Sequence, residues 1–455
     1  MIKSKKCKHL RERGKGAPRM KQEKIIQVFS VLLICACVLT IGWSVFDNGR
    51  ALEAVLFDDP SDTGMDFFNS IAYTRGRVPY TEFKTLYPPL ANLFYFLVMR
   101  TVPTTISGQW STSFITVYEM RTTVLDLRLV QNALFLFIVS TALCGTALFQ
   151  LCCHGIHCSQ KSKMLFSVAM LSSLGVLQAL ERGNIILWVV CLVLFFLQWK
   201  DSPSKLMREL ALVSLGIAAG LKLYPAIFGL VLLFDRQYAK ALRAVLYGLI
   251  LFFAPFFFFE GLPAMKMFFQ MLFDFNDLST EGFSRIGLSL SQMVDTFFWV
   301  RDLDTASPTL FLRMQETTRT VTLLWSFVAL VLCFFTQHRW KILLIVSLLT
   351  ILFPARSAMY GLCMMIVPAL AFFSEDVEHT RFKWLYISLF FLVLAFFPYS
   401  IRLLNETQVL QIVVQGALLV LFSLVQVDIL SEVYLRKRKN RKNRLPLIDQ
   451  NTARN

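Results

Sequence analysis

The polar stretch at residues 66–89 carries the residue types and spacing best suited to chemistry at a membrane edge. It separates two apolar segments and supplies an acidic side chain, several tyrosines and a rigid Pro88-Pro89 turn. Asp66 is flanked by methionine and phenylalanine, and a partly buried carboxylate is a better general base than a solvated one. The sequence therefore predicts Asp66 as a catalytic base. Three neighbouring acidic residues are predicted to be solvated: Asp58, Asp59 and Asp62.

Three basic residues stand at the ends of apolar segments, namely Arg182, Lys222 and Arg356. Charges at such positions are costly and usually face a cavity or a partner. Each has a simpler alternative: a lysine or arginine can snorkel to water, and Arg182 can pair with the adjacent Glu181. Three cations on one predicted face of the membrane favour an anionic ligand, and lysine binds phosphate as a point charge.

Apolar helices must position these residues. The chain has 455 residues, of which 56% are hydrophobic and 17% are charged, whereas about 25% are charged in a soluble domain. The charges cluster between thirteen apolar segments, and apolar runs of about 18 or more residues are typical of transmembrane helices. The sequence predicts an all-α polytopic membrane protein.

The net charge of +16 comes largely from basic residues in the two terminal tails. Lysine and arginine next to membrane helices mark the cytoplasmic side and contact anionic lipid headgroups. We therefore expect membrane lipids, and no nucleic acid, as partners. Both termini are predicted to be cytoplasmic in a multi-pass protein of the cell membrane.

Two cytoplasmic termini require an even number of crossings, and we predict about twelve. Either the segment 86–102 is re-entrant or the mixed stretch after it returns across the membrane. This topology places residues 181–184, Lys222 and Arg356 on the same external side as Asp66. The predicted divisions are a basic tail (1–24), a transmembrane domain (25–430) with external loops at 47–87 and 260–318, and a basic tail (431–455).

Several familiar catalytic and ligand-binding motifs are missing from the sequence. It contains no P-loop, no dinucleotide-type glycine turn, no GxSxG elbow and no HExxH helix. The cysteines and histidines at 152–158 have metal-ligand types, but their spacing fits no standard zinc pattern. We predict no cofactor and no metal site, and the sequence leaves a requirement for a divalent cation open.

Two blocks of residues resemble glycosyltransferase family 87, the polyprenyl-phosphate-mannose-dependent mannosyltransferases of the GT-C fold. The first block runs from Asp66 to Tyr87-Pro88-Pro89-Leu90 and is similar to the first external loop of these enzymes. The second comprises Arg182-Gly183-Asn184 and Lys222-Leu223-Tyr224-Pro225. One departure concerns residues 358–360, where relatives often carry a histidine and this chain has Ala-Met-Tyr.

The resemblance implies a GT-C-like bundle whose external loops form the active site. Such enzymes transfer a sugar from a lipid-phosphate carrier to a glycolipid or glycan acceptor on the non-cytoplasmic side. Asp66 would then deprotonate the acceptor hydroxyl. The substrate-binding residues implied are Lys222, Arg182, Tyr87, Asn184, Tyr224 and Arg356. The implied donor is a polyprenyl-phosphate-linked hexose, with mannose the sugar expected.

Two other classes of protein are alternatives. A lipid-linked glycan transporter or flippase would also have about twelve helices and intramembrane cations, but it is expected to show internal repeats. A glycan polymerase or ligase would use a catalytic loop late in the chain, and the loop at 260–318 contains Arg285, Arg301 and Arg313. Transport does not account for the Asp/Tyr-Pro-Pro loop.

Overall fold

The computed structural model describes residues 17–53, 55–56, 63–116, 127–276, 287–300, 307–375, 377, 380–397 and 409–452. Over these ranges the regular secondary structure is helical, without a β-strand, which confirms the predicted all-α class. Several residues named above lie outside the described ranges: Asp58, Asp59, Asp62, Arg285 and Arg301.

The first half of the chain contains helices α1 (Ala17–Phe46), α2 (Arg50–Glu53), α3 (Met65–Tyr73), α4 (Pro89–Met99), α5 (Thr104–Thr116), α6 (Gln131–Gly155), α7 (Gln160–Leu171), α8 (Leu174–Arg182), α9 (Ile186–Trp199) and α10 (Lys205–Leu221). The second half contains α11 (Leu230–Phe234), α12 (Tyr238–Phe253), α13 (Leu262–Asn276), α14 (Leu290–Val300), α15 (Pro308–Cys333), α16 (Arg339–Leu352), α17 (Ile366–Ser374), α18 (Lys383–Leu394) and α19 (Val409–Thr452). Short 3-10 segments occur at Arg75–Arg77, Leu127–Leu129, Tyr224–Gly229, Ala254–Phe258 and Met359–Met365.

Five helices in the described part of the chain are long and apolar enough to cross a membrane. They are Met20–Phe46, Gln131–Gly155, Tyr238–Phe258, Thr309–Cys333 and Val409–Arg438. The pair α7 and α8, bent by 51°, makes a sixth if it is one span. The protein is therefore a multi-pass membrane protein. The total of about twelve crossings stays a prediction, because it requires the shorter apolar helices to complete further spans.

Burial separates the helices at the centre of the bundle from those that face lipid. In α16 every residue from Trp340 to Leu352 is buried, whereas α6, α12 and α15 expose large apolar side chains such as Phe135, Leu249 and Phe327. A helix that is apolar all round and buried packs on protein at every face, and exposed apolar faces in a membrane protein contact lipid tails.

The buried centre includes a close contact between α8 and the segment Met359–Met365. A Cβ added at Gly175 of α8 would lie 2.5 Å from the backbone nitrogen of Cys363. Only glycine allows the two backbones to approach this closely. The contact brings the helix that ends at Arg182 against the segment that carries Tyr360.

Candidate active site

The helix that carries Asp66 docks on the carboxyl end of α8. The Gly64 N–H donates to the Glu181 carbonyl oxygen at 2.7 Å, and the Thr63 hydroxyl donates to the Glu181 carboxylate at 2.8 Å. Gly183 ends α8 with a positive φ of 65°, and a Cβ there would lie 3.0 Å from the Cβ of Phe67. Glycine at 183 therefore supplies both the left-handed cap and the space for α3.

Docking of α3 places the Asp66 carboxylate against two donors from the end of α8. Arg182 Nη2 lies 3.2 Å from Asp66 Oδ1, and Asn184 Nδ2 lies 2.6 Å from Asp66 Oδ2. Asn184 Oδ1 accepts the Ile186 backbone N–H at 3.0 Å, which orients the amide so that its nitrogen faces the carboxylate. Arg182 therefore forms an ion pair with Asp66.

Tyr87 borders the same carboxylate because its backbone is held in place. The Tyr87 carbonyl accepts hydrogen bonds from the Tyr80 hydroxyl at 3.0 Å and from Asn92 Nδ2 at 3.2 Å. Its own hydroxyl lies 3.4 Å from Asn184 Nδ2. Pro89 starts α4 immediately afterwards, where a proline has no N–H to leave unsatisfied. The turn fixes the tyrosine ring at the start of a rigid helix.

Lys222 lies at the break between α10 and the 3-10 segment Tyr224–Gly229. Its backbone leaves the helix in an extended conformation, with φ −146° and ψ 142°. The ammonium nitrogen lies 5.2 Å from the ring centroid of Tyr87 and 5.0 Å from that of Tyr360. Two aromatic faces at this distance stabilise a cation while leaving its N–H groups available to an anion.

These side chains meet in one cavity of about 420 Å³. Five of the seven predicted site residues line it: Asp66, Tyr87, Lys222, Tyr224 and Arg356. The other two, Arg182 and Asn184, are not part of the cavity wall but donate hydrogen bonds to the Asp66 carboxylate. Apolar side chains including Leu86, Leu272 and Met364 complete the wall. The cavity therefore combines one carboxylate and two cations inside a largely apolar enclosure.

Tyr360 and Gln292 are two of the cavity residues that the predicted set did not include. Tyr360 supplies the second ring beside Lys222, and Gln292 lines the wall next to Ser357 and Arg356. The sequence contains a signal for Gln292, because Ser289-Leu-Ser-Gln292 has the S-x-x-Q spacing of a helix capping box. No comparable local pattern marks Tyr360, whose position depends on packing against α8.

The cysteine and histidine group at 152–158 forms no metal site. Among the described residues no three His, Cys, Asp or Glu side chains are placed to hold a metal ion. His154 stacks on Trp199 with ring centroids 4.5 Å apart, and its Nδ1 lies 2.9 Å from the Gln198 side-chain oxygen. Cys152, Cys153 and His154 lie in the last turns of α6, which ends at Gly155.

Comparison with known proteins identifies the family. The family model described as glycosyltransferase family 87 matches residues 86–359, more than half of the chain. No curated protein and no solved structure matches the sequence. The matched region includes Tyr87, Arg182, Asn184, Lys222 and Arg356, and it begins after Asp66.

Proposed function

The chain belongs to glycosyltransferase family 87, and from that premise we propose that it transfers a hexose from a polyprenyl-phosphate sugar to a glycolipid or glycan acceptor. Mannose is the proposed sugar. Family membership makes the protein a membrane glycosyltransferase and favours transfer over the transport alternative. The observation that carries the proposal is the single cavity in which Asp66 faces the two cations Lys222 and Arg356.

Asp66 is the proposed general base. The acceptor hydroxyl attacks the anomeric carbon of the donor sugar, and Asp66 takes the hydroxyl proton as the new C–O bond forms. Hydrogen bonds from Arg182 and Asn184 hold both carboxylate oxygens in a fixed orientation. A base that is already positioned lowers the barrier because little reorganisation is needed at the moment of proton transfer.

Lys222 and Arg356 are proposed to receive the leaving group. As the bond between the anomeric carbon and the phosphate oxygen breaks, its electron pair passes to the polyprenyl phosphate. The two cations line the cavity and neutralise that charge in a site enclosed by leucine, methionine and tyrosine side chains. Electrostatic stabilisation is stronger beside apolar walls than in bulk water, because the surroundings screen the charges less.

The membrane setting suits a lipid-linked donor. A polyprenyl tail requires an apolar path from the bilayer to the cavity, and the tail can lie between helices while the phosphate reaches the cations. We propose that the cavity opens on the non-cytoplasmic side, that both termini are cytoplasmic and that about twelve segments cross the membrane. Tyr87 and Tyr224 supply the rings against which the sugar binds.

The test is sugar transfer from synthetic polyprenyl-phosphate mannose by purified protein in lipid nanodiscs, with a panel of glycolipid acceptors. Asp66→Asn removes the base while keeping the shape, and we expect turnover to fall by about 10²–10⁴-fold. Asp274→Asn is the matched control, because Asp274 is an exposed residue of α13. Absence of transfer by the wild type with every lipid-linked sugar, or equal rates for Asp66→Asn and wild type, would contradict the proposal.

A further inference from the structure

Helix α14 begins with a complete capping box. The Gln292 backbone N–H donates to the Ser289 hydroxyl at 3.2 Å, and the Ser289 N–H donates to Gln292 Oε1 at 3.3 Å. This reciprocal pair satisfies two of the N–H groups that a helix start leaves without partners. Both side chains are buried, with exposures of 0% for Ser289 and 2% for Gln292.

Both members of the capping box also bind the segment that carries Arg356. The Ser289 hydroxyl donates to the Ala355 carbonyl oxygen at 2.9 Å. The Ser357 N–H donates to Gln292 Oε1 at 2.7 Å. Leu288 adds a third hydrogen bond, from its N–H to the Ser357 carbonyl oxygen at 2.7 Å. The contacts hold the backbone on both sides of Arg356.

The start of α14 is itself anchored to α19. Gln415 Nε2 donates to the Gly287 carbonyl oxygen at 2.7 Å, and Gln411 Nε2 lies 3.1 Å from the Thr296 hydroxyl. Gly287 leaves no space above it, because an added Cβ would lie 2.0 Å from the Gln292 amide carbon. The Gln292 side chain is therefore confined by the Gly287 backbone as well as by its hydrogen bonds.

We propose that Ser289 and Gln292 are positioning residues that hold Arg356 in the cavity for the phosphate of the lipid carrier. The loop between α16 and the segment Met359–Met365 has no helical hydrogen bonds of its own at Arg356. Hydrogen bonds from a rigid helix start replace them and reduce the freedom of the arginine before the ligand arrives. This inference rests on the proposed function, because it assigns Arg356 a phosphate ligand.

The prediction is a coupling between the capping box and Arg356. The assay is equilibrium binding of polyprenyl phosphate, the leaving group alone, to protein in nanodiscs, with transfer kinetics alongside. We expect Arg356→Ala to weaken binding about 10-fold or more, since a hydrogen-bonded charge is lost. Gln292→Met keeps the length of the side chain without its acceptor, and we expect a loss of about 3- to 10-fold. In the Arg356→Ala background, Gln292→Met should have no further effect.

Gly287→Ala provides an independent variant, since its Cβ displaces the Gln292 amide without removing it. It should weaken binding as Gln292→Met does, and again only while Arg356 is present. The control for loss of a helix cap is Ser204→Ala in α10, whose hydroxyl accepts the Met207 N–H at 3.5 Å. Ser204→Ala should leave the binding of polyprenyl phosphate unchanged.

Three outcomes overturn the inference. If the fold-losses in binding caused by Gln292→Met and by Arg356→Ala multiply in the double variant, the capping box acts independently of the arginine. If Gln292→Met or Arg356→Ala alone leaves binding unchanged, the positioning role fails while the proposed transferase activity stands on the wild-type kinetics. If wild-type protein neither binds polyprenyl phosphate nor transfers sugar, the inference and the proposed function fail together.

Discussion

The Asn184 amide nitrogen lies 2.6 Å from Asp66 Oδ2, although the two residues are 118 positions apart in the chain. The contact links the first polar loop to the start of α9, and the Ile186 N–H fixes the amide that makes it. Asn184 also reaches the Tyr87 hydroxyl at 3.4 Å. One amide therefore sets the position of the carboxylate relative to the tyrosine on the cavity wall.

Asn184→Ala should lower kcat by about 10- to 100-fold, because a hydrogen bond to a charged group is lost and the carboxylate is no longer held in place. The measurement is transfer kinetics at saturating donor. Asn132→Ala is a matched control, since Asn132 is an exposed residue whose amide binds the Thr101 carbonyl at 3.0 Å. A kcat equal to that of wild type would show that Asp66 needs no orientation by Asn184.

Lys222→Met should reduce kcat more than it raises KM, because charge on the leaving phosphate develops mainly in the transition state. We expect a fall of about 10²–10³-fold, as for the loss of one group that stabilises a developing negative charge. Lys266→Met removes an exposed lysine of α13 and serves as the control. A rise in KM with kcat unchanged would instead assign Lys222 to ground-state binding of the donor.

Gly183→Ala should both destabilise the protein and lower its activity. An alanine at φ 65° is strained, and its Cβ would press on Phe67 and push α3 away from α8. We expect a loss of about 1–3 kcal/mol in the free energy of unfolding. Gly145→Ala in α6 is the contrasting variant, because nothing lies within 4 Å of its added Cβ. Thermal unfolding in detergent should show a lower midpoint for the first variant and no decrease for the second.

Asp295 should make stability depend on pH. Burial raises the pKa of Asp295 from 3.8 to about 7, against the opposing effects of the Gln315 hydrogen bond and the Arg356 charge. Between these two pKa values the folded state keeps a proton that the unfolded state has released. The free energy of unfolding contributed by this group therefore falls as pH rises through that window, by up to about 1.4 kcal/mol per pH unit.

Asp295→Asn is neutral at every pH and should remove this slope. The unfolding midpoint of wild type minus that of the variant should decrease from pH 5 to pH 7 and then level off. The difference isolates Asp295, because other titrating groups such as His338 are common to both proteins. A constant difference across this range would show that the carboxyl group titrates near its ordinary pKa.

Much of the fold class was predictable from hydropathy, since long apolar segments separated by charges are stable mainly as helices in a bilayer. The family resemblance, which the match over residues 86–359 confirms, came from short polar blocks next to those segments. The number of crossings was harder to predict. Segments such as Tyr224–Phe234 are shorter than a full membrane span, so composition does not say how deep they reach into the bilayer.

The sequence by itself determined a helical membrane glycosyltransferase, and it identified seven charged, aromatic and amide residues at the ends of apolar segments. Tertiary structure decided how they combine: Arg182 and Asn184 hold Asp66, while Lys222 and Arg356 line the cavity that Asp66 faces. The tertiary structure also places Gln292 and Tyr360, which are not among the seven, in the wall of the cavity. The physical reason is that hydropathy is a property of each segment by itself. Which side chains contact each other depends instead on how closely the backbones of distant segments can approach, as they do at Gly175 and Gly183.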